Sequence, residues 1–454
     1  MAISKIKRPP GPKGNLITGN LARAQAGNFD FMFESRDQYG DILYYRIALW
    51  YVYRLGHPDF AQRLLQDNHR NYNKQSIDYN ILRRVSGNGL ISSEGAFWLR
   101  QRRLMQPLFH RKRIHALGSV MTEAAERMLG RWGTEIKAGE PLDVAEAMTG
   151  LTMDIVSRAL FSLDIGETAV SFSRAFSNVN EYLGSLDPLF VIAPWLPTAG
   201  MNKYRAGMAE LNSIIYGLIA ERRANPLHGN DDMLTLLIEA QDEDTGERMT
   251  DEQIRDETIT LLIAGHETTA NALAWTWTLL AQHPEQREEL ERELEEVLTG
   301  RVPTMADIPQ LVYTEKVIKE SMRLYPPAWF ISRTAIDWDE LAGYPIPPKS
   351  FLSISTYLIH HHPDFWPEPF QFDPERFTPE QEKARPRYAY LPFGGGPRMC
   401  IGNHFAMTEA ILLLATIAQH YRLDLAPGQV VTPEPLITLR PKNGLPMLVT
   451  WRSR

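Results

Sequence analysis

Residues 42–55 are rich in β-branched and aromatic side chains, among them Ile42, Tyr44, Tyr45, Val52 and Tyr53, the composition of paired strands. A helix is expected to start near His57. From about Phe97 to Val297 apolar positions recur at helical spacing in nearly every segment, with turn signals such as Pro226 and Gly229-Asn230-Asp231 between them. Residues 285–296 carry charges of both signs and read as a solvated helix face. After Pro326 the chain becomes short-stranded and proline-rich up to about Phe377. One more apolar helix, residues 405–418, follows, and strand-like pairs end the chain. The pattern predicts a mainly α (α+β) fold in which helices dominate and the sheets are small.

Residues 250–283 form the most distinctive segment. Thr250 followed by Gln253 has the spacing of a capping box, and Pro284 supplies a stop. An unbroken helix over this stretch is about 50 Å long at 1.5 Å per residue, enough to cross a domain of this size. Its middle reads Ala264-Gly265-His266-Glu267-Thr268-Thr269. A glycine, an acid and two threonines are locally unfavourable inside an apolar helix. Such broken local rules point to function, although a glycine that permits close packing beside a solvent-facing Glu267 explains the same residues.

Composition narrows the classes. The 454 residues are 44% hydrophobic and 23% charged, enough for a sizeable core and against global disorder. The net charge of -7 argues against a general nucleic-acid binder. Residues 1–14 contain Lys5, Lys7 and Arg8 with no apolar run behind them, so they read as an N-terminal extension and not as a signal peptide or membrane anchor. No stretch approaches the roughly 20 apolar residues of a bilayer span. A cytoplasmic protein is expected, folded as one domain over residues 1–454. The single cysteine excludes an internal disulfide and any site that needs two thiolates.

That cysteine, Cys400, lies in Phe393-Gly394-Gly395-Gly396-Pro397-Arg398-Met399-Cys400-Ile401-Gly402, just before the apolar helix. A thiolate there is favoured by the free N–H groups of a helix start and by Arg398. Three readings are open: a single metal ligand, a buried structural thiol, and a nucleophile served by His404.

The segment resembles, position for position, the haem-binding signature F-x-x-G-x-R-x-C-x-G of the cytochrome P-450 superfamily. Ala264 to Thr269 resembles that family's oxygen-activation motif, (A/G)-G-x-(D/E)-T-(T/S). Glu320-Ser321-Met322-Arg323 resembles its E-x-x-R, Pro374-Glu375-Arg376-Phe377 its P-E-R-F, and Trp98 with Arg102 its W-x-x-x-R. The likeness covers the chain from about Pro10 to Val449 as a single cytochrome P-450-type domain, with a long central helix across the haem and no fused reductase domain.

The resemblance implies haem b (iron protoporphyrin IX) with Cys400 as its axial metal ligand, the type of ligand that pushes electron density toward O–O cleavage. It implies Phe393 packed beside the sulfur, Gly402 and Ala264 against the ring, and Trp98, Arg102, Arg333 and Arg398 as donors to the propionates. Glu267 and Thr268 become the acid and alcohol that deliver protons. Glu320, Arg323 and Arg376 become a structural charge network. His266 is read as packing, and His360-His361-His362 as structural and not as a second metal site.

The same resemblance places a substrate pocket at Ile81, Leu82, Leu183, Leu186, Ala264, Ala328, Trp329, Phe330 and Ile437, whose apolar side chains suit a fatty acid, terpenoid or steroid-like molecule. The expected reaction is monooxygenation, with one oxygen atom of O2 entering the substrate. Electrons would come from a ferredoxin or flavodoxin-type donor with its NAD(P)H reductase, steered by Arg100, Arg103, Arg111, Lys112 and Arg113. A peroxide-driven or isomerising haem-thiolate enzyme and a non-catalytic haem-binding protein are the rival readings.

Overall fold

The computed structural model describes residues 6–25, 29–137, 139–162, 171–172, 174–176, 178–179, 195–225, 232–242 and 244–452. Helices dominate the element order and the sheets are small, as the hydrophobic pattern predicts. Cα packing divides the chain into two compact units, each assembled from segments far apart in sequence. No helix among the described residues is long and apolar enough to cross a membrane.

The first unit comprises residues 1–79, 316–400 and 432–440. Its helix α1 (Phe29–Tyr39) precedes a hairpin of β1 (Ile42–Ile47) and β2 (Trp50–Leu55). These strands join β3 (Tyr72–Asn73), β4 (Ile331–Ala335) and β5 (Phe351–Ile354) in a five-stranded sheet of order β1-β2-β5-β4-β3. The pairing is antiparallel except for β2 with β5, which is parallel. One sheet face buries Tyr53, Leu55, Leu352 and Ile354 with Leu64, Leu65 and Leu391. His57 caps the helix Pro58–Gln62 by accepting the Asp59 N–H, which places the helix start where the sequence does.

The second unit comprises residues 80–315, 401–431 and 441–454. Helix α2 (Ile77–Ser86) enters it, followed by α3 (Gly95–Met105), α4 (Arg111–Glu135), α5 (Val144–Phe161) and α6 (Ala199–Ala224). The long α7 (Asp251–Gln282) packs along α5. Its capping box is present: Gln253 N–H donates to Thr250 Oγ1 at 3.2 Å, and Thr250 N–H to Gln253 Oε1 at 3.0 Å. Helix α8 (Pro284–Leu298) begins at the expected proline. Its charged stretch is not wholly solvated, because Glu291 is buried and pairs with Arg422 and Arg452. A charged run hides such a member when its partners come from a distant segment.

Helix α9 (Val312–Leu324) leads back to the first unit, where the short helix α10 (Thr356–His360) follows β5. Helix α11 (Asn403–Ala418) returns to the second unit and packs on α4.

Candidate active site

In the first unit, residues 393–400 form the loop that carries Cys400. The Cys400 N–H donates to the Phe393 carbonyl at 3.0 Å and the Gly394 N–H to the Leu391 carbonyl at 3.0 Å, so the loop is closed by its own backbone. Gly396 sits at φ +67°, and a Cβ there would stand 1.7 Å from the Leu65 carbonyl oxygen. Only glycine fits. The Cys400 thiol is exposed. Phe393 is half-buried beside it in sequence, and α11 opens three residues further on.

Arg333 on β4 is 5% exposed, yet no carboxylate pairs with it among the described residues. Its guanidinium donates to the Ser332 carbonyl at 2.7 Å and to the Tyr79 hydroxyl. Burial pushes the Tyr79 phenol up, while Arg333 and Arg398 pull it down, so both cations act on one spot. A buried guanidinium without an anion is costly unless an anion is supplied. In the same unit the Trp329 indole donates to the Leu436 carbonyl at 2.9 Å, and Leu439 N–H donates to the Pro327 carbonyl at 3.0 Å. Those bonds bring the segment of Ala328, Trp329 and Phe330 beside that of Ile437; Ala328 is exposed and the other three are half-buried.

Glu320 and Arg323, one turn apart on α9, are both fully buried. Every N–H of the guanidinium is used. Nε and one Nη donate to the Glu320 oxygens at 2.6 and 2.7 Å, and the remaining hydrogens go to the carbonyls of His360, Pro369 and Gln371. Glu320 also accepts the Asp373 N–H at 3.0 Å and lies 3.4 Å from Arg376. The three residues thus tie α9 to residues 360–376. The histidine triplet ends α10 and the turn after it, not a strand, and each ring has its own partner. His360 faces the Arg323 carbonyl and accepts the Leu391 N–H, His361 faces the Tyr357 carbonyl, and His362 faces Asp41. No metal-binding cluster is formed among the described residues.

In the second unit, α7 is buried from Asp256 to Leu262 and again from Thr269 to Leu280. Between these stretches Ala264 is exposed, while Ile263, Gly265, Glu267 and Thr268 are half-open. The sequence motif coincides with the open stretch. The Thr268 hydroxyl donates to the Ala264 carbonyl at 2.6 Å. His266 points the other way: it is 3% exposed, edge-on to Phe176, and burial pushes its imidazole down to about 4. It is therefore neutral packing, as expected. Trp98 and Arg102 lie one turn apart on α3, both half-buried, and Ile81 and Leu82 lie half-buried on α2. Gly402 approaches Phe109, whose ring a Cβ would meet at 3.4 Å. Leu183 and Leu186 lie outside the described residues.

Two further carboxyl groups, both pushed up by burial, carry no local mark in the sequence. Glu409 on α11 is buried, which pushes it up to about 8, with Thr269 opposing. Glu257 on α7 is buried and pushed up to about 7. Acids on helices read as solvent-facing from sequence, and nothing local marks these two as exceptions.

The expected basic face is smaller than the sequence implies. Arg103 pairs with Asp242 and Asp244, and Arg100 with Glu247. Arg111, Lys112 and Arg113 in the first turn of α4 are exposed.

Residues 9–447 match the family model described as cytochrome P-450. Cyclooctatin synthase of Streptomyces melanosporofaciens is 41% identical, over 88% of this chain and 87% of that protein. Pentalenene oxygenase of Streptomyces avermitilis is 33% identical over 96% of each. The crystal structure of a cytochrome P-450DA haem domain superposes with a TM-score of 0.90 at 27% identity, covering 99% of this chain and 98% of that one. The chain therefore belongs to the cytochrome P-450 family and is a haem-dependent monooxygenase.

Proposed function

We propose that this enzyme inserts one oxygen atom of O2 into a cyclic terpenoid hydrocarbon or its alcohol, drawing electrons from a separate ferredoxin or flavodoxin-type protein. The observation that carries the reading is the Glu267–Thr268 pair in the open stretch of an otherwise buried α7. A peroxide-driven or isomerising enzyme has no need of such an acid and alcohol, and neither has a mere haem carrier. The half-exposed Trp329, Phe330 and Ile437 suit a hydrocarbon skeleton. Relatives named cyclooctatin synthase, cyclooctat-9-en-7-ol 5-monooxygenase (36% identical) and pentalenene oxygenase favour a terpenoid over a fatty acid or a steroid.

The residues present fit haem b. Arg333 is a buried cation in want of an anion, and Arg398 acts at the same place, as a propionate requires. Cys400 supplies an exposed thiol on a rigid loop, with Arg398 two residues away to favour the thiolate. Trp98 and Arg102 add two further donors on one face of α3. When bound, the haem supplies an iron that takes up dioxygen and accepts electrons one at a time.

The chain's own residues do the rest. Thr268 Oγ, having given its hydrogen to Ala264, keeps lone pairs to hold a water molecule in the open stretch. Glu267, half-exposed next to it, can take a proton from solvent and pass it to that water. Arg111, Lys112 and Arg113 present positive charge to an acidic electron donor. We place this chemistry in the cytoplasm, where such donors and NAD(P)H are at hand.

The test is a spectral-shift titration of the purified protein with terpene alcohols, fatty acids and steroids, followed by turnover under labelled O2. Terpene alcohols should shift the haem spectrum, and the product should carry one labelled atom only when reductant is supplied. Product formed from peroxide without reductant, or haem loading with no shift from any terpenoid, would overturn the reading. Cys400→Ala should abolish the reduced carbon-monoxide spectrum.

A further inference from the structure

The turn after α2 is seated on two consecutive carboxylates of α7. The Asn88 N–H donates to Asp256 Oδ2 at 2.7 Å, and the Leu90 N–H donates to Glu257 Oε2 at 2.8 Å. Gln101 on α3 donates through Nε2 to the other Glu257 oxygen at 3.1 Å. Two glycines make the approach possible. A Cβ on Gly87, which has φ +56°, would stand 2.2 Å from both carboxylate oxygens of Asp256, and a Cβ on Gly89 would stand 2.1 Å from Thr260 Oγ1. The turn is also tied back to α2. The Ser92 hydroxyl donates to the Gly87 carbonyl at 2.9 Å, and Arg83 donates to the Ser92 carbonyl at 2.7 Å.

Thr260, which Gly89 approaches, lies one turn before Ala264 on α7, so the clamp adjoins the open stretch. Glu257 takes no part in the proton transfer proposed above, and burying a carboxyl group is costly unless its bonds are needed.

We infer that Asp256 and Glu257 are positioning residues: they hold the Gly87–Leu90 turn against α7 and so fix where Ile81 and Leu82 of α2 meet the substrate. The placing of Ile81 and Leu82 in the substrate wall rests on the proposed function. The carboxylates act through the turn and touch neither substrate nor haem.

The clamp has a built-in pH response. Burial raises Glu257 to about 7, with Asp256 adding to the rise and the Leu90 N–H and Gln101 opposing it. Asp256 is itself paired with Arg255 at 2.6 Å, and from α3 Arg100 donates to the Gln101 side-chain oxygen Oε1 at 3.3 Å. The turn itself, residues 87–93, contains no charged side chain. A proton on Glu257 therefore weakens the acceptor for Leu90 near neutral pH.

Hydrogen exchange on the haem-loaded protein tests the clamp directly. After correction for intrinsic rates, protection of the peptide spanning residues 87–93 should fall about tenfold between about pH 8 and about pH 6, the loss expected when a charged acceptor becomes neutral. Glu257→Gln, which keeps the shape and cannot titrate, should show no such step. A second arm uses two probes that ligate the iron, imidazole and 1-octylimidazole. Glu257→Ala and Asp256→Ala should weaken the octyl compound about tenfold relative to imidazole, because only its chain reaches the wall, and Glu257→Gln, which keeps a neutral acceptor, should restore only part of the ratio. Protection that does not change with pH, or an unchanged ratio in a folded variant, overturns the inference. If the variants fail to fold, the pH arm on the unaltered protein decides. Absence of any imidazole spectrum would instead sink the haem reading, and the exchange arm would still decide the clamp.

Discussion

Thr268 shows how far one side chain can be assigned. Its hydroxyl hydrogen is committed to Ala264, so its oxygen acts as an acceptor in the open stretch. Thr268→Ala removes that acceptor and leaves α7 its best helix former. Reductant consumption should continue while product per reductant falls roughly 10- to 100-fold and peroxide appears; unchanged coupling, measured by product and peroxide assay, would take Thr268 out of the proton path. At this scale the sequence is informative where a rare residue sits in a dense motif, as Cys400 does. It is silent where an ordinary residue becomes special by burial. Glu409 and Glu257 lie on helices whose local pattern permits exposure, and only packing from remote segments removes their water. Arg103 fails in the opposite sense: its cluster reads as a free basic face until Asp242 and Asp244 are brought to it.

Elements were more legible than side-chain partners. The capping box of α7 is written in four adjacent residues, Thr250 to Gln253, and the α8 start in Pro284, so both ends of the long helix could be read locally. The tie between α9 and residues 360–376 was legible only as a motif, because its carbonyl acceptors on His360, Pro369 and Gln371 leave no trace in side-chain identity. That tie yields a strong prediction. Arg323→Leu strands Glu320 and three carbonyls, and should cost roughly 3–5 kcal/mol in urea unfolding with loss of haem. Arg323→Lys should recover only part of this, since an ammonium has fewer donors than a guanidinium with five partners. An Arg323→Lys protein as stable as the parent would show that the fork of donors is dispensable.

For the whole molecule, the buried titratable groups set a pH dependence of stability. Glu409 is raised from 4.5 to about 8, so between these values the folded state holds a proton that the unfolded state has released. Stability from this group therefore falls as pH rises through that window. Glu409→Gln, tested by thermal unfolding, should gain on the parent steadily from about pH 5 to about pH 8 and level off above; a constant gap would refute the assignment. His266, lowered to about 4, and His360, lowered to about 3, act at the other end. Below 6.5 the unfolded state takes up protons that these rings refuse when folded, so acidification destabilises.

The Gly396 seat also bears on how such a chain is made. Its neighbour, the Leu65 carbonyl, belongs to the single turn of π-helix at Arg63–Asp67, more than three hundred residues earlier. During synthesis that template leaves the ribosome long before the cysteine does. The thiol loop can take its final form only after residue 400 has emerged; with Cys400 in the role of iron ligand proposed above, haem capture becomes a late event of biogenesis and shorter nascent chains are kept from ligating iron.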